Sequence, residues 1–164
     1  MSLSKEFVVK YSEYNDENEL DPRDVELIRK AKDVLATSYS PYSHFRVGAS
    51  VLLENGEIIS GSNQENGAYP SGLCAERVAL FYAGAKYPKV PVVAMAIVAS
   101  YMDEIIQSPI SPCGACRQVM IEYRNIGAKA FSVIMVGRSK IVKVEDVRFL
   151  LPFSFSNAED AASK

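Results

Sequence analysis

No hydrophobic run in this 164-residue chain is long enough to cross a membrane: the longest, such as Val90 to Val98 with its internal proline, fall well short of the ~20 residues that a spanning helix needs. An excess of charge of one sign is missing too. With 18 Lys plus Arg against 20 Asp plus Glu the net charge is -2, so nothing in the overall electrostatics draws the chain to a polyanion, and no basic stripe with interleaved aromatics marks a nucleic-acid face. Histidine occurs once, at His44, ahead of a predicted strand and without a second ligand at metal-binding spacing, and it is assigned no chemistry. Cysteine occurs three times, an odd count that cannot close into a disulfide framework. Residues Met1 to Glu6 lack the apolar core of a secretory signal, so a reducing, cytoplasmic setting is expected. In that setting, cysteines at CxxC spacing are metal ligands or redox groups more often than bridges. Repeats, low-complexity segments and internal linkers are absent, and 164 residues make one domain that buries roughly two-thirds of its unfolded surface.

What is present reads as an α/β chain. Residues 6–14 alternate roughly and predict an edge strand. Asp21 and Pro22 have the chemistry of a helix start, and Val25, Ile28, Ala31 and Leu35 follow at helical spacing to about Ser38. Phe45 to Leu53 predicts a strand, and Asn55-Gly56 ahead of Ile58-Ile59 predicts a hairpin, because both turn residues tolerate positive φ. A helix is expected from near Cys74 to Lys86, closed by Tyr87-Pro88. The apolar run Val90 to Ser100 predicts a central strand, and a loop is expected from Tyr101 to Ser111. A further helix over Cys113 to Tyr123, strands over 130–136 and 141–144 and a short helix over 145–150 complete the chain. This order implies a three-layer α/β/α sandwich on a mixed sheet of about five strands. Residues 21–156 are expected to form the domain, with residues 1–20 an N-terminal extension and 157–164 a disordered tail.

All three cysteines fall into one constellation, Cys74-Ala75-Glu76-Arg77 with Pro112-Cys113-Gly114-Ala115-Cys116. Cys113 and Cys116, three apart on a helix, share a face, and Cys74 supplies a third thiol. Three ligands with a fourth position left for water are the parts of a catalytic zinc site. Glu76 can then sit beside the open position without binding metal and move protons, and Arg77 can offset the net negative charge of three thiolates on a dication. On these residues alone, a structural zinc site and a Cys113-Cys116 redox pair also remain open.

With Ser111 to Gln118, with Tyr42 to Ala49, with Asn63-Gln64-Glu65-Asn66 and with Leu150-Leu151-Pro152 and Phe155, in that family's order, the constellation resembles the small, three-cysteine form of cytidine deaminase. The resemblance covers about residues 25 to 155. It implies hydrolysis of cytidine or 2′-deoxycytidine to the uridine product and ammonia, with one zinc ion per subunit on Cys74, Cys113 and Cys116 and Glu76 as proton carrier. By the same resemblance, Asn63 and Glu65 hold the ribose, Phe45 lines the base pocket and the backbone at Ala68 meets the pyrimidine edge. Phe155 is expected to reach a neighbour's base pocket in a homotetramer with shared sites. A related deaminase acting on another aminopyrimidine, such as a nucleoside antibiotic, is the rival expectation; a free nucleoside, not a nucleic acid or a membrane, is the expected partner.

Overall fold

Local chemistry starts the first helix as its residues predict: the Asp21 carboxylate accepts from the Arg23 amide at 2.9 Å, and Pro22 takes the first helical position, where an amide would lack a partner anyway. The structure, a computed structural model, describes residues 3–156. The expected tail, 157–164, lies outside the described residues. Helix α1 runs Pro22–Asp33, and a 3-10 turn at Val34–Thr37 carries it to Ser38. Strands β2, Phe45–Leu53, and β3, Ile58–Ser62, follow as an antiparallel hairpin. Helix α2 is Ala75–Lys86, β4 is Val92–Tyr101, β5 is Glu104–Ile105, α3 is Gly114–Gly127, β6 is Ser132–Val136 and β7 is Ile141–Val144. Strand β1, Tyr11–Tyr14, lies at the start of the chain, and a 3-10 turn at Val147–Leu150 takes the place of the expected last helix.

One mixed sheet runs in the order β1-β7-β6-β4-β2-β3, with β5 paired to the end of β4. It has seven strands against an expected five or so, the additions being short pieces at its margins. Only β4 and β6 run parallel, joined across by α3. Helix α1 covers one face, and α2 and α3 the other. Alternation along β4 sorts the two cores: Ala94, Ala96 and Val98 meet Leu27, Ile28 and Ala31 of α1, while Met95, Ile97 and Ala99 meet Leu80 of α2 and Met120 of α3. Each fully buried Leu, Ile or Met among these contributes about 1.5–3 kcal/mol of transfer free energy.

The hairpin forms where it is expected, and its turn draws on the tolerance of one residue only. Gly56 alone has positive φ, at 87°, and the Gly56 amide donates to the Leu53 carbonyl while the Leu53 amide donates to Glu57, both at 2.9 Å. This is a type I turn with a glycine bulge, the three-residue solution, so Asn55 keeps ordinary φ. For placing the site, the register matters more than the turn. Phe45 at the start of β2 pairs with Tyr101 at the end of β4, and Gly48 pairs with Ser62 at the end of β3. The start of β2, the ends of β3 and β4 and the loops leading into α2 and α3 are therefore gathered at one end of the sheet.

Candidate metal centre

Two helix starts meet at that end, and each begins on a cysteine. Cys74 and Cys113 occupy the N-cap positions of α2 and α3 in extended conformation, and neither thiol bonds to its helix, so both are free for another partner. Cys116, one turn into α3, is fully buried. The Cys74 and Cys113 sulfurs are 3.8 Å apart, those of Cys113 and Cys116 3.5 Å apart, and all three lie within 4.8 Å of one another. A tetrahedral zinc with Zn–S bonds of ~2.3 Å spaces its sulfurs at about 3.8 Å, so the trio fits three corners of that polyhedron and leaves the fourth open. Among the described residues this is the only cluster of three or more potential metal-binding side chains.

The electrostatics of the trio point the same way. Hydrogen bonding from Cys116, helped by Arg77 and Cys113 against the cost of burial, pushes the Cys74 thiol down to about 5, and the same pairing with burial pushes Cys116 up. The two shifts are opposed, and a dication among the sulfurs is what would let Cys74 and Cys116 ionise together. Arg77, one turn along α2, places Nη2 3.8 Å from the Cys74 sulfur. Its Nε is the one buried side-chain polar atom among the described residues without a hydrogen-bond partner.

Glu76 lies in the same first turn of α2 and is only 4% exposed. Burial raises its carboxyl above the usual range, with the Cys74 charge acting in the same direction against its own backbone amide and Arg77. A carboxyl so placed holds a proton more readily than an exposed one and can accept and return it.

These groups form the head of a cleft of ≈ 800 Å³, within the usual range for a small-molecule site. Phe45, Val47, Ile110 and Tyr69 give it apolar walls, and Asn63 and Glu65 stand along it. The Asn63 side-chain oxygen accepts from the Val47 amide at 2.8 Å and from the Ser38 hydroxyl, and its nitrogen donates to the Phe45 carbonyl at 2.9 Å. One amide hydrogen is left over. Glu65 accepts from the Tyr42 amide at 3.0 Å, the Ser43 amide at 3.3 Å and the Ser43 hydroxyl, which holds its carboxyl below the usual range; three of its four lone-pair sites are filled. A donor and an acceptor, both already oriented, remain for a ligand.

The structure therefore brings Cys74, Cys113, Glu76, Arg77, Phe45, Asn63 and Glu65 to one cleft, with Cys116 buried behind its wall in contact range of the other two sulfurs. Ala68 does not line it: its amide donates to the Asn66 side chain at 2.9 Å and its carbonyl accepts from Ser71 at 2.8 Å. Phe155 does not line it either and is 80% exposed. His44 stands outside the cleft, on the surface. Sequence reasoning gave no role to Ser43 and Ser38, which orient Glu65 and Asn63, nor to the wall residues Ile110 and Tyr69. The first two sit beside Pro41 in a break between helix and strand, the kind of loop that sheet-end sites use.

Residues 21–133 match the family model described as the cytidine and deoxycytidylate deaminase zinc-binding region. The chain is 40% identical over 134 residues to a cytidine deaminase of Halalkalibacterium halodurans, an overlap that covers 82% of this chain and 94% of that one. It is 29% identical over 136 residues to the blasticidin-S deaminase of Bacillus cereus, covering 82% of this chain and 93% of that one. Among solved structures, a cytidine deaminase from Burkholderia pseudomallei superposes with a TM-score of 0.68 at 39% identity, covering 79% of this chain and 97% of that one.

Proposed function

The chain belongs to the cytidine and deoxycytidylate deaminase family, and from that premise we propose that it hydrolyses cytidine and 2′-deoxycytidine to uridine and 2′-deoxyuridine with release of ammonia, in pyrimidine salvage. The observation that carries the reading is the union, at the head of one cleft, of three sulfurs within 4.8 Å and a buried carboxyl two residues from the first of them. Cys74, Cys113 and Cys116 hold one zinc ion per subunit. When bound, the ion supplies the Lewis acidity that brings a water molecule's pKa down toward neutrality.

The protein's own groups do the rest. Water adds across the C4–N3 bond of the cytosine ring and the C4 amine leaves, so one proton must reach N3 and another the departing nitrogen. Glu76, buried and with a raised pKa, takes the proton of the attacking water and gives it to N3, then carries the proton of the resulting C4 hydroxyl to the amine, which leaves as ammonia while the C4 carbonyl forms. Phe45 and Ile110 exclude water from the base. A ribose hydroxyl can donate to the last acceptor site on Glu65 and accept the spare Asn63 hydrogen, which supports a nucleoside over a free base. Arg77 offsets the charge of the thiolate set.

A homotetramer with shared sites completes the reading, with Phe155 of one chain entering the cleft of another; its exposure on its own chain supports this. Among the described residues no helix is long and apolar enough to cross a membrane, and three free thiols suit a cytoplasmic location.

The test pairs an ultraviolet assay of cytidine, deoxycytidine and cytosine turnover with a metal measurement, on wild type and Glu76→Gln. Both proteins are expected to carry about one zinc per chain, and turnover in the variant is expected to fall by at least ~10²–10⁴-fold. Full activity in Glu76→Gln would sink the assignment.

A further inference from the structure

Two residues of the second cysteine motif, Arg117 and Gln118, take no part in the chemistry above although they directly follow Cys116. Arg117 ties two segments together. Its Nε donates to the Pro112 carbonyl at 2.8 Å and Nη2 to the Ser111 hydroxyl at 2.8 Å, fixing the turn that presents Cys113, while Nη1 donates to the Leu150 carbonyl at 2.9 Å. The chain leaving Leu150 is thus anchored at its root to the metal-centre helix.

Gln118 anchors its far end. Its Nε2 donates to the Phe155 carbonyl at 3.0 Å, and its Oε1 accepts from the Phe155 amide at 3.1 Å, the reciprocal pair that a neighbouring strand would offer. Among the described residues no other hydrogen bond holds residues 152–156. The ring so fixed is 80% exposed and absent from its own chain's cleft. Ordering the backbone of one residue costs about 1–2 kcal/mol, while a hydrogen bond returns about 0.5–1.5 kcal/mol, so two bonds at an exposed aromatic do little for stability. They do fix the backbone from which the ring projects.

We propose that Gln118 is a positioning residue for substrate binding in trans: by clamping both backbone groups of Phe155 it presents that ring to the cleft of a second copy of this chain. The proposal rests on the deaminase reading and on its shared-site oligomer. It makes α3 serve two sites, its own through Cys113 and Cys116 and a neighbour's through Gln118. A role confined to its own site is the competing account, since Gln118 is two residues from a ligand.

Gln118→Met, close in length but without the amide's donor and acceptor, separates the two accounts. The expected result is a KM for cytidine raised about tenfold, with kcat within about twofold and zinc content unchanged. Subunit mixing then gives the direction. Chains carrying Glu76→Gln, which cannot turn over substrate but keep the clamp, are co-expressed under a second tag with Gln118→Met chains, and mixed oligomers are isolated through both tags. A component with the wild-type KM is expected to appear, because some Gln118→Met sites now receive Phe155 from an intact neighbour.

An unchanged KM in Gln118→Met, a loss of zinc with the rise in KM, or mixed oligomers that keep only the raised KM would each overturn the proposal. Gln118→Glu keeps the acceptor facing the Phe155 amide and loses the donor, so its KM should fall between wild type and Gln118→Met. If Gln118→Met does not accumulate folded, the mixing experiment with Gln118→Glu decides by the same criterion. A wild type inactive on cytidine and deoxycytidine would instead overturn the deaminase reading itself.

Discussion

Arg77 is the residue at which charge and packing in the centre come together. Its Nη2 reaches the Cys74 sulfur at 3.8 Å while its buried Nε has no partner among the described residues, and an unmet buried donor costs about 1–3 kcal/mol. Such a cost is tolerated where the charge itself is needed, and three thiolates on a dication leave a net negative charge that only a cation can offset. Arg77→Gln keeps a donor of similar reach and removes the charge. Zinc affinity measured by chelator competition is expected to fall about 10- to 100-fold, the usual effect of removing a group that supports metal ligands, while the fold is retained by circular dichroism. Unchanged zinc affinity and an unchanged pH–rate profile would rule out the charge-balancing role. Much of this residue-level picture was legible beforehand, since residues three apart, Cys113 with Cys116 and Cys74 with Arg77, fall on one side of a helix start. The wiring of Glu65 was not, because its holders Tyr42 and Ser43 come from a loop more than twenty positions upstream that only the register of β2 against β3 brings near.

At the level of elements, two glycines set how closely the helices approach the sheet. A Cβ on Gly48 of β2 would stand 2.0 Å from the Ala31 carbonyl oxygen of α1, and one on Gly61 of β3 would stand 2.7 Å from the Ala79 amide nitrogen of α2. These obstacles are backbone, not the ends of flexible side chains, so the helix must move. Gly48→Ala is therefore expected to destabilise by at least ~2 kcal/mol, read as a lower urea midpoint at constant slope. A midpoint within error of wild type would mean that α1 rides freely over β2. Element ends written in cap chemistry, such as Asp21-Pro22, could be read directly, whereas lengths set by a partner could not. Residues 6–14 predict a nine-residue strand, yet only Tyr11–Tyr14 pair, because β7 offers just the four partners Ile141–Val144. Strand β5 escaped notice for a related reason: two residues have no period, and the positive φ of Met102 and Asp103 in its tight turn leaves no mark on a methionine.

On the scale of the whole molecule, the question is what residues 1–20 add to a unit whose family match begins at residue 21. We propose that they are an edge closure and not part of the catalytic machinery. Strand β1 pairs with β7 along its whole length, Glu13 meets Lys140 at 2.8 Å, Tyr14 and Leu20 pack on the core under α1, and Phe7 sets its ring edge-on to Phe149 at 6.1 Å. Without the arm, β7 would present unpaired amides and carbonyls at the sheet margin, the usual route to strand-to-strand association. Its contacts are mostly exposed, and an exposed ion pair contributes ~0–1 kcal/mol, so the loss in stability is small. Removing residues 1–14 is expected to leave zinc content and kcat/KM within about twofold and to lower the thermal midpoint by ~2–6 °C. Aggregation during heating should set in earlier, and light scattering would register it. The cleft is lined from the start of β2, the loop after β3 and the starts of α2 and α3, and β2 and β3 lie at the opposite margin of the strand order from β1, which is why catalysis should be spared. A truncated protein with normal thermal behaviour but a raised KM would reverse the assignment, because Phe149 leads into the segment that carries Phe155, and the arm would then be holding that segment in place.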